Sequence, residues 1–113
     1  EMHELGITRN IVSIVEEAAK GRRVKRVTLD IGQFSGVVPD AVLFCFDIVA
    51  RGTLLDGARL DIQKIAGRAR CRSCSEAFET TSLYQACACG SRAVDRLAGE
   101  ELKIREMEIE EAA

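Results

Sequence analysis

The chain has 113 residues with 16 basic and 18 acidic side chains, a formal charge of −2, and both signs interleaved along the sequence. Such a length predicts one small domain, or one domain carrying a smaller module, and the near balance of charge gives no reason to expect a polyanionic partner or a membrane surface. No apolar run approaches the roughly 20 residues of a membrane span, and no basic stretch precedes an apolar one at the start. We therefore expect a cytoplasmic protein without a signal peptide.

The first predicted element is an amphipathic helix over residues 5–20. Its apolar stripe comprises Ile7, Ile11, Ile14 and Ala18, flanked by Val12, Val15 and Ala19. These residues recur at helical spacing, while polar residues fill the other side. Gly21 then supplies a residue that ends helices.

A strand is predicted over residues 23–31, because Val27, Leu29 and Ile31 alternate with Arg26, Thr28 and Asp30. The alternation predicts one buried face and one face in contact with water. A second helix is expected over about 39–51, since Pro39 suits a first helical position and Asp40 suits the positive end. This helix is apolar nearly all round, so it should be largely buried. Its Cys45 is expected to be a small core residue.

Two further strands are predicted, over residues 58–65 and 101–110. In the last strand, Leu102 and Ile104 have one parity and Met107 and Ile109 the other. One extra residue near Arg105-Glu106 would restore a single buried face, so we expect a β-bulge there. The predicted fold is α+β, with two helices packed on a three-stranded mixed sheet and an inserted zinc-ribbon-like module.

The module is expected over residues 67–96, inserted into a domain formed by 1–66 and 97–113. It contains five arginines and three carboxylates, an excess of +2, and few large apolar residues; Phe78 and Tyr84 are expected to pack within it. About thirty residues with so little to bury need another source of stability, and a bound metal would supply it.

Four cysteines lie within this module, at Cys71, Cys74, Cys87 and Cys89. Four thiolates around a tetrahedral ion are typical of structural zinc, with sulfurs about 3.8 Å apart. The first pair is a regular Cys-x-x-Cys, but the second has one intervening residue and requires a local turn, which Gly90 permits. Two disulfides or unliganded thiols are the alternative interpretations. A closed four-thiolate site leaves no position for a substrate.

His3 is the only histidine and lies at the beginning of the sequence. It is either a solvated terminal residue, or a remnant of a tag, or a metal ligand. A terminal amine, deprotonated backbone amides and one imidazole can enclose a metal ion in a plane, and such nitrogen donors favour Ni(II) or Cu(II) over zinc. We therefore predict a second, open metal site at this end.

Together, Met2-His3-Glu4 at the start of a helix, Cys71-x-x-Cys74, and Cys89-Gly90-Ser91 resemble the HypA family of nickel incorporation proteins. The segment from Val27 to Gly36 and the run Pro39-Asp40-Ala41 are also similar to that family, so the resemblance covers essentially the whole chain.

The resemblance implies a nickel metallochaperone that is not an enzyme. It implies a HypB-type GTPase and the large subunit of [NiFe]-hydrogenase as partners, with urease as a further client in some organisms, and a monomer or homodimer. Nickel would be held through Met2, His3 and Glu4, with His3 giving imidazole and backbone nitrogen, and Glu4 a backbone nitrogen and a candidate carboxylate. Asp40 is a weaker nickel candidate, and Cys71, Cys74 and Cys89 match the family's zinc ligands.

The sequence departs from the family pattern in two places. Glu1 precedes the methionine, so an amine on Glu1 would make His3 a third-position histidine, which is a different planar arrangement. Ala86 occupies the expected cysteine position and Cys87 replaces a proline, which leaves open whether Cys87 is the fourth zinc ligand.

The sequence leaves two other classes of function open. A zinc-ribbon module that binds nucleic acid or protein is compatible with the arginines, but the charge excess is small and stacking aromatic residues are few. An enzyme is disfavoured, because no nucleophile–base constellation accompanies the single histidine.

Overall fold

The structure is a computed structural model that describes residues 2–111, with only the backbone of Met2. In chain order the elements are α1 (Met2–Ala19), β1 (Val24–Gly32), α2 (Pro39–Val49), β2 (Arg59–Ile65), β3 (Gly67–Cys71), β4 (Ala77–Thr80), β5 (Val94–Ala98) and β6 (Leu102–Ile109). The strands form two three-stranded sheets with the orders β2-β1-β6 and β4-β3-β5. Among residues 2–111, no helix combines the length and the hydropathy that a membrane-spanning segment requires.

The first sheet is mixed, as the sequence predicts. Strand β1 pairs in parallel with β2 and antiparallel with β6, and α2 forms the crossover between the two parallel strands. The register changes from Thr28 opposite Glu106 to Leu29 opposite Ile104, so Arg105 is the extra residue of a bulge. The predicted α+β architecture and the predicted bulge are both confirmed.

The buried face of α1 is rotated from the predicted stripe. Ile11, Val12, Val15 and Ala19 are buried as hydrophobic residues, together with the polar Glu4 and Thr8. Ile14 is 58% exposed and Ala18 is also exposed, so the expectation for these two residues was wrong. Apolar periodicity cannot identify buried polar residues. Because Glu4 and Thr8 are buried, the centre of the buried face of α1 is shifted toward them.

Helix α2 is only half buried, which contradicts the expectation of an almost fully buried helix. Val42 and Phe46 are buried, but Phe44 is 71% exposed and Leu43 and Ile48 are also exposed. Helix α1 covers one side of α2, and no segment within residues 2–111 covers the other. Cys45 is half-buried at the edge of this uncovered side instead of in the core.

The face of β1 that was predicted to contact water is largely buried. Thr28 and Asp30 are buried, and Asp30 is only 1% exposed. The bulge residue Arg105 donates two hydrogen bonds to the Asp30 carboxylate, with Nε–Oδ1 at 2.9 Å and Nη2–Oδ2 at 2.7 Å. These hydrogen bonds raise the pKa of Arg105. Long charged side chains on the neighbouring strand therefore cover a face that alternation alone would assign to solvent.

The two sheets meet where three glycines pack together. A side chain on Gly32 would collide with the backbone of Gly99, and one on Gly67 would collide with the ring of Phe34. Phe34 donates a backbone hydrogen bond to Gly99 O at 2.6 Å, and Arg96 of the second sheet lies over the Phe34 ring at 5.4 Å. The loop after β1 is thereby attached to both segments that connect the two sheets, at Gly67, where β3 begins, and at Gly99 after β5.

The second sheet supplies strands that the sequence did not predict individually. Strand β3 pairs antiparallel with both β4 and β5. Tyr84 is 82% exposed, so its expected packing role in the module was wrong, whereas Phe78 is half-buried. The division of the chain at residues 67 and 96 remains a prediction.

Gly32→Ala should destabilise the protein by at least about 2 kcal/mol, because the new methyl group would overlap backbone atoms that cannot move aside independently. Gly6→Ala is the matched control, since it lies in α1 with open space around it and should raise stability by about 0.5–1 kcal/mol. Urea unfolding followed by circular dichroism measures both. Equal stabilities for the two variants would contradict the packing described at Gly32.

Candidate metal centres

The sulfur atoms of Cys71, Cys74, Cys87 and Cys89 converge at one end of the second sheet. All four lie within 4.8 Å of one another. The Sγ atoms of Cys71 and Cys89 are 3.7 Å apart, and those of Cys74 and Cys87 are 3.6 Å apart. These distances match the edges of a tetrahedron of thiolates around zinc, about 3.8 Å. The structure thus brings together all four cysteines that the sequence singled out.

Two tight turns position the sulfurs. In the first, Cys71 N donates to Glu76 O at 2.8 Å and Ser75 N to Cys71 O at 2.9 Å, with Ser75 in the left-handed region at φ 66°. In the second, Cys87 N donates to Ser91 O at 2.9 Å and Gly90 N to Cys87 O at 2.8 Å, with Gly90 at φ 95°. The Cys-x-Cys pair therefore has the local turn that it needs.

Backbone and hydroxyl groups around the cluster form a supporting layer that the sequence reasoning missed. Ser73 N donates a hydrogen bond to Cys71 Sγ at 3.4 Å, and the hydroxyls of Ser73 and Ser91 are 2.9 Å apart. Hydrogen bonds of this kind orient metal ligands and tune their basicity. The serines next to the cysteines in Arg72-Ser73-Cys74 and Gly90-Ser91 were the available signal.

The pKa values of Cys71, Cys74 and Cys89 are shifted in different directions. The backbone amide of Cys74 lowers the pKa of Cys71 to about 6. The backbone of Glu76 lowers the pKa of Cys74, but hydrogen bonding with Cys87 and burial raise it, and the outcome is about 12. The pKa of Cys89 is lowered by the Ser91 backbone and raised by Cys87, Cys71 and burial, with a net increase. Four adjacent thiols cannot all ionise without a compensating cation, so this donor set fits a divalent metal ion.

The predicted nickel terminus coincides with the first turn of α1. The helix begins at Met2, and the side chain of His3 is exposed to solvent. The first four amide groups of a helix have no partner within the helix, so the amides of His3 and Glu4 are free of helical hydrogen bonds. Backbone nitrogens without helical hydrogen bonds therefore lie beside an exposed imidazole. Glu1 lies outside the described residues.

The Glu4 side chain turns away from this terminus and into the protein. Glu4 is 2% exposed, and its Oε2 accepts a hydrogen bond from the Val38 amide at 3.1 Å. Val38 precedes α2 and has no side-chain cap of its own. Glu4 Oε1 is buried without a hydrogen-bond partner. The carboxylate thus joins the start of α1 to the start of α2, a role that the sequence did not reveal.

Among the described residues, Asp40 does not form a cluster of potential metal ligands with His3 and Glu4. It is exposed in the first turn of α2, two residues beyond Val38. The four cysteines are the one set of potential ligand side chains that converges within residues 2–111. A nickel site at His3 would therefore depend on backbone nitrogen rather than on a preformed group of side chains.

Comparison with known proteins gives consistent matches over nearly the full length. The family described as hydrogenase/urease nickel incorporation, metallochaperone, hypA, matches residues 2–109. The hydrogenase maturation factor HypA of a Nostoc species is 53% identical over 110 residues, covering 97% of both chains. The HypA of Geobacter metallireducens is 49% identical, covering 96% of this chain and all of that protein.

Solved structures show the same fold. The solution structure of the Ni metallochaperone HypA from Helicobacter pylori aligns with a TM-score of 0.65 at 26% identity, covering 94% of this chain and 96% of that one. A second HypA solution structure aligns with a TM-score of 0.70 at 26% identity. The sequence matches, the shared fold and the cysteine cluster agree, and the chain belongs to the HypA family of nickel-incorporating hydrogenase maturation factors.

Proposed function

We propose that this chain binds Ni(II) reversibly at its Met2-His3-Glu4 terminus and delivers it during maturation of [NiFe]-hydrogenase. The main support is the family match from residue 2 to residue 109, because it begins at the tripeptide in question. The exposed His3 imidazole and the unpartnered amides of the first helical turn give that tripeptide suitable nitrogen donors. Planar nitrogen coordination favours Ni(II) over zinc.

The terminus suits a metal in transit because it is open. His3 is exposed, so an acceptor protein can approach the ion without unfolding the donor. The Glu4 carboxylate is engaged at Val38, which favours its backbone nitrogen over its side chain as the donor. Asp40, in the first turn of α2, stays a weaker candidate that could complete the coordination.

The second ion in this proposal is structural zinc held by Cys71, Cys74, Cys87 and Cys89. The sulfur separations of 3.6 and 3.7 Å support this assignment. When bound, zinc would neutralise part of the thiolate charge and fix the two turns relative to each other. Buried Cys87 supports a four-thiolate site despite its departure from the family pattern.

Delivery requires partners, and we propose a HypB-type GTPase and the hydrogenase large subunit, with urease as a further client. The relatives are named hydrogenase maturation factors, which supports hydrogenase as the client. The chain would act by binding and transfer, not by catalysis. A nucleic-acid-binding role is less well supported, since Arg72 pairs with Asp95 and Arg96 with Glu100, which reduces the free positive charge of the module.

His3→Ala should remove one equivalent of bound Ni(II) and leave zinc content unchanged, because the imidazole is the only side-chain nitrogen at the terminus. Nickel titration by calorimetry, combined with metal analysis, measures both ions. Asn10→Ala is the control, as an exposed change on the same helix. The titration should be run on chains beginning at Met2 and at Glu1, since the terminal amine differs. Unchanged nickel affinity in His3→Ala for both forms would refute the proposed site.

Cys87→Ser should weaken zinc binding by at least about tenfold, while Cys45→Ser should leave it unchanged. Cys45 is the matched control because it is the one cysteine outside the cluster. Competition with a chromophoric chelator measures the affinity, and zinc should also bind less tightly as the pH falls, because protons compete for the thiolates. Retention of full affinity by Cys87→Ser would indicate a site with three thiolates.

Glu4→Ala should lower the free energy of unfolding by about 1–3 kcal/mol, because the Val38 amide loses its acceptor. Glu4→Gln keeps an amide oxygen in the same place and should be destabilised less. Glu17→Ala, an exposed change on the same helix, serves as the control in urea unfolding. If the Ala and Gln variants lost the same stability, the hydrogen bond to Val38 would not be the reason for burying this side chain.

A further inference from the structure

A polar cavity is formed by one face of the second sheet and the segment 80–85 at the end of β4. Its volume is about 200 Å³. Apolar residues such as Ala69 contribute to the lining, but most of the lining is polar: Thr80, Ser82, Gln85, Arg92 and Arg96. We call this space the arginine cavity. Two guanidinium groups line it, and among residues 2–111 no carboxylate does, so its electrostatic potential is positive.

The amide group of Gln85 is oriented by its own hydrogen bonds. Its Oε1 accepts hydrogen bonds from Thr81 N at 2.9 Å and from Thr80 Oγ1 at 3.2 Å. Because a backbone N–H can only donate, the oxygen of the amide must face Thr81. The NH₂ group donates no hydrogen bond within residues 2–111, so its hydrogens are available in the cavity that Gln85 lines.

The buried side chain of Thr80 holds the rest of this segment in place. Thr80 is only 5% exposed, and its Oγ1 donates a hydrogen bond to Ser82 O at 2.6 Å. Ser82 Oγ accepts a hydrogen bond from Tyr84 N at 3.2 Å, which leaves the hydroxyl hydrogen of Ser82 free to donate. The segment therefore contributes two positioned donor groups, from Ser82 and Gln85, to the arginine cavity.

Both arginines are fixed by contacts that use only part of their capacity to donate. Arg92 Nη1 donates to Tyr84 O at 3.1 Å, and Arg92 forms no salt bridge within residues 2–111. Arg96 Nη1 donates to Glu100 Oε2 at 2.6 Å, and its guanidinium lies 5.4 Å from the centre of the Phe34 ring. Each guanidinium has five N–H donors, so several remain unused. Donors that are held in place before a ligand arrives lower the entropic cost of binding it.

We propose that the arginine cavity binds one phosphate group, either as free phosphate or as a phosphate monoester. Its donors come from two sides, since Ser82 and Gln85 lie in the segment after β4 and Arg92 and Arg96 lie at or beside β5. A tetrahedral phosphate has acceptor oxygens in several directions and pairs well with guanidinium groups. A planar carboxylate offers two oxygens in one plane and would leave part of this donor set without an acceptor.

The cavity suits a single phosphate and not a nucleic-acid backbone. Arg68 and Arg70 alternate with Ala69 along β3, so their side chains lie on the opposite face of the sheet from the cavity. The positive groups therefore do not form a continuous track for successive phosphates. The inference is independent of the nickel proposal, because the cavity shares no residue with the terminus or with the sulfur cluster.

Calorimetric titration of the zinc-loaded full chain with inorganic phosphate, without nickel and at constant ionic strength, tests the proposal. We expect saturable binding of one phosphate per chain. Gln85→Glu should abolish measurable binding, because it keeps an oxygen for Thr81 and replaces the NH₂ donor with a negatively charged oxygen. Arg92→Gln should weaken binding by at least about tenfold through loss of a charge-assisted donor.

Arg68→Gln is the matched control, since it removes the same charge from an exposed residue of the opposite face and should leave phosphate affinity unchanged. Circular dichroism and zinc content verify that each variant is folded. An equal loss of affinity in Arg68→Gln and Arg92→Gln would overturn the proposal, because it would reveal a general charge effect. Absence of saturable binding at millimolar phosphate would overturn it as well.

Titrations with phenyl phosphate and with acetate identify the form of the ligand. Tighter binding of phenyl phosphate than of inorganic phosphate would support a monoester, and weaker binding would support free phosphate. Acetate should bind at least about tenfold more weakly than phosphate, because it has fewer acceptor oxygens. Acetate that bound as tightly as phosphate would overturn the assignment to phosphate. The nickel proposal would survive any of these results, because no step of the experiment involves nickel.

Discussion

The second sheet depends on the convergence of four sulfur atoms. Its buried side chains are few and small, namely Ala69, Cys71, Thr80 and Cys87. Half of them belong to the cysteine cluster, so apolar burial alone gives this sheet little stability. The turns at Ser75 and Gly90 aim the sulfurs at one point, and a divalent ion at that point would connect β3 to the segment before β5. The same requirement would explain a site in which every ligand comes from the protein, because an ion that holds the fold together needs all of its ligands.

The nickel site proposed at the amino terminus would follow the opposite principle. Its donors would be an exposed imidazole and amides that the helix leaves without partners, so solvent would reach a bound ion. The terminus is nevertheless attached to the structure, because Glu4 fixes the first turn of α1 to the loop before α2. That loop also contains Phe34, which packs at the glycine contacts between the two sheets. One short loop thus contacts both the start of α1 and the place where the two sheets meet.

Helix α2 shows that an apolar sequence pattern can differ from the burial that the fold provides. Its apolar residues face in nearly all directions, which is typical of a helix surrounded by protein. Within this chain, α1 and the sheet surround only the side that contains Val42 and Phe46. The remaining apolar side is bounded by opposite charges at its two ends. No segment within residues 2–111 covers this side, so its apolar residues stay in contact with solvent.

The sequence by itself determined the type and order of the helices and of the three strands in the first sheet, because periodicity and Gly or Pro boundaries are local properties. It also determined the bulge at Arg105, since a change of parity within one strand has few other solutions. The cysteine spacing likewise identified all four members of the sulfur cluster, because metal ligands must come from short, tight turns.

Only the tertiary structure decided which side of each helix is buried and which polar groups lie inside. Glu4 and Asp30 are nearly inaccessible, although an isolated carboxylate prefers water, because Val38 and Arg105 supply partners from distant parts of the chain. Periodicity cannot foresee such partners, since it records only how residues follow one another. The exposure of Phe44 was hidden for the same reason: what covers a side chain depends on the neighbours that folding brings to it.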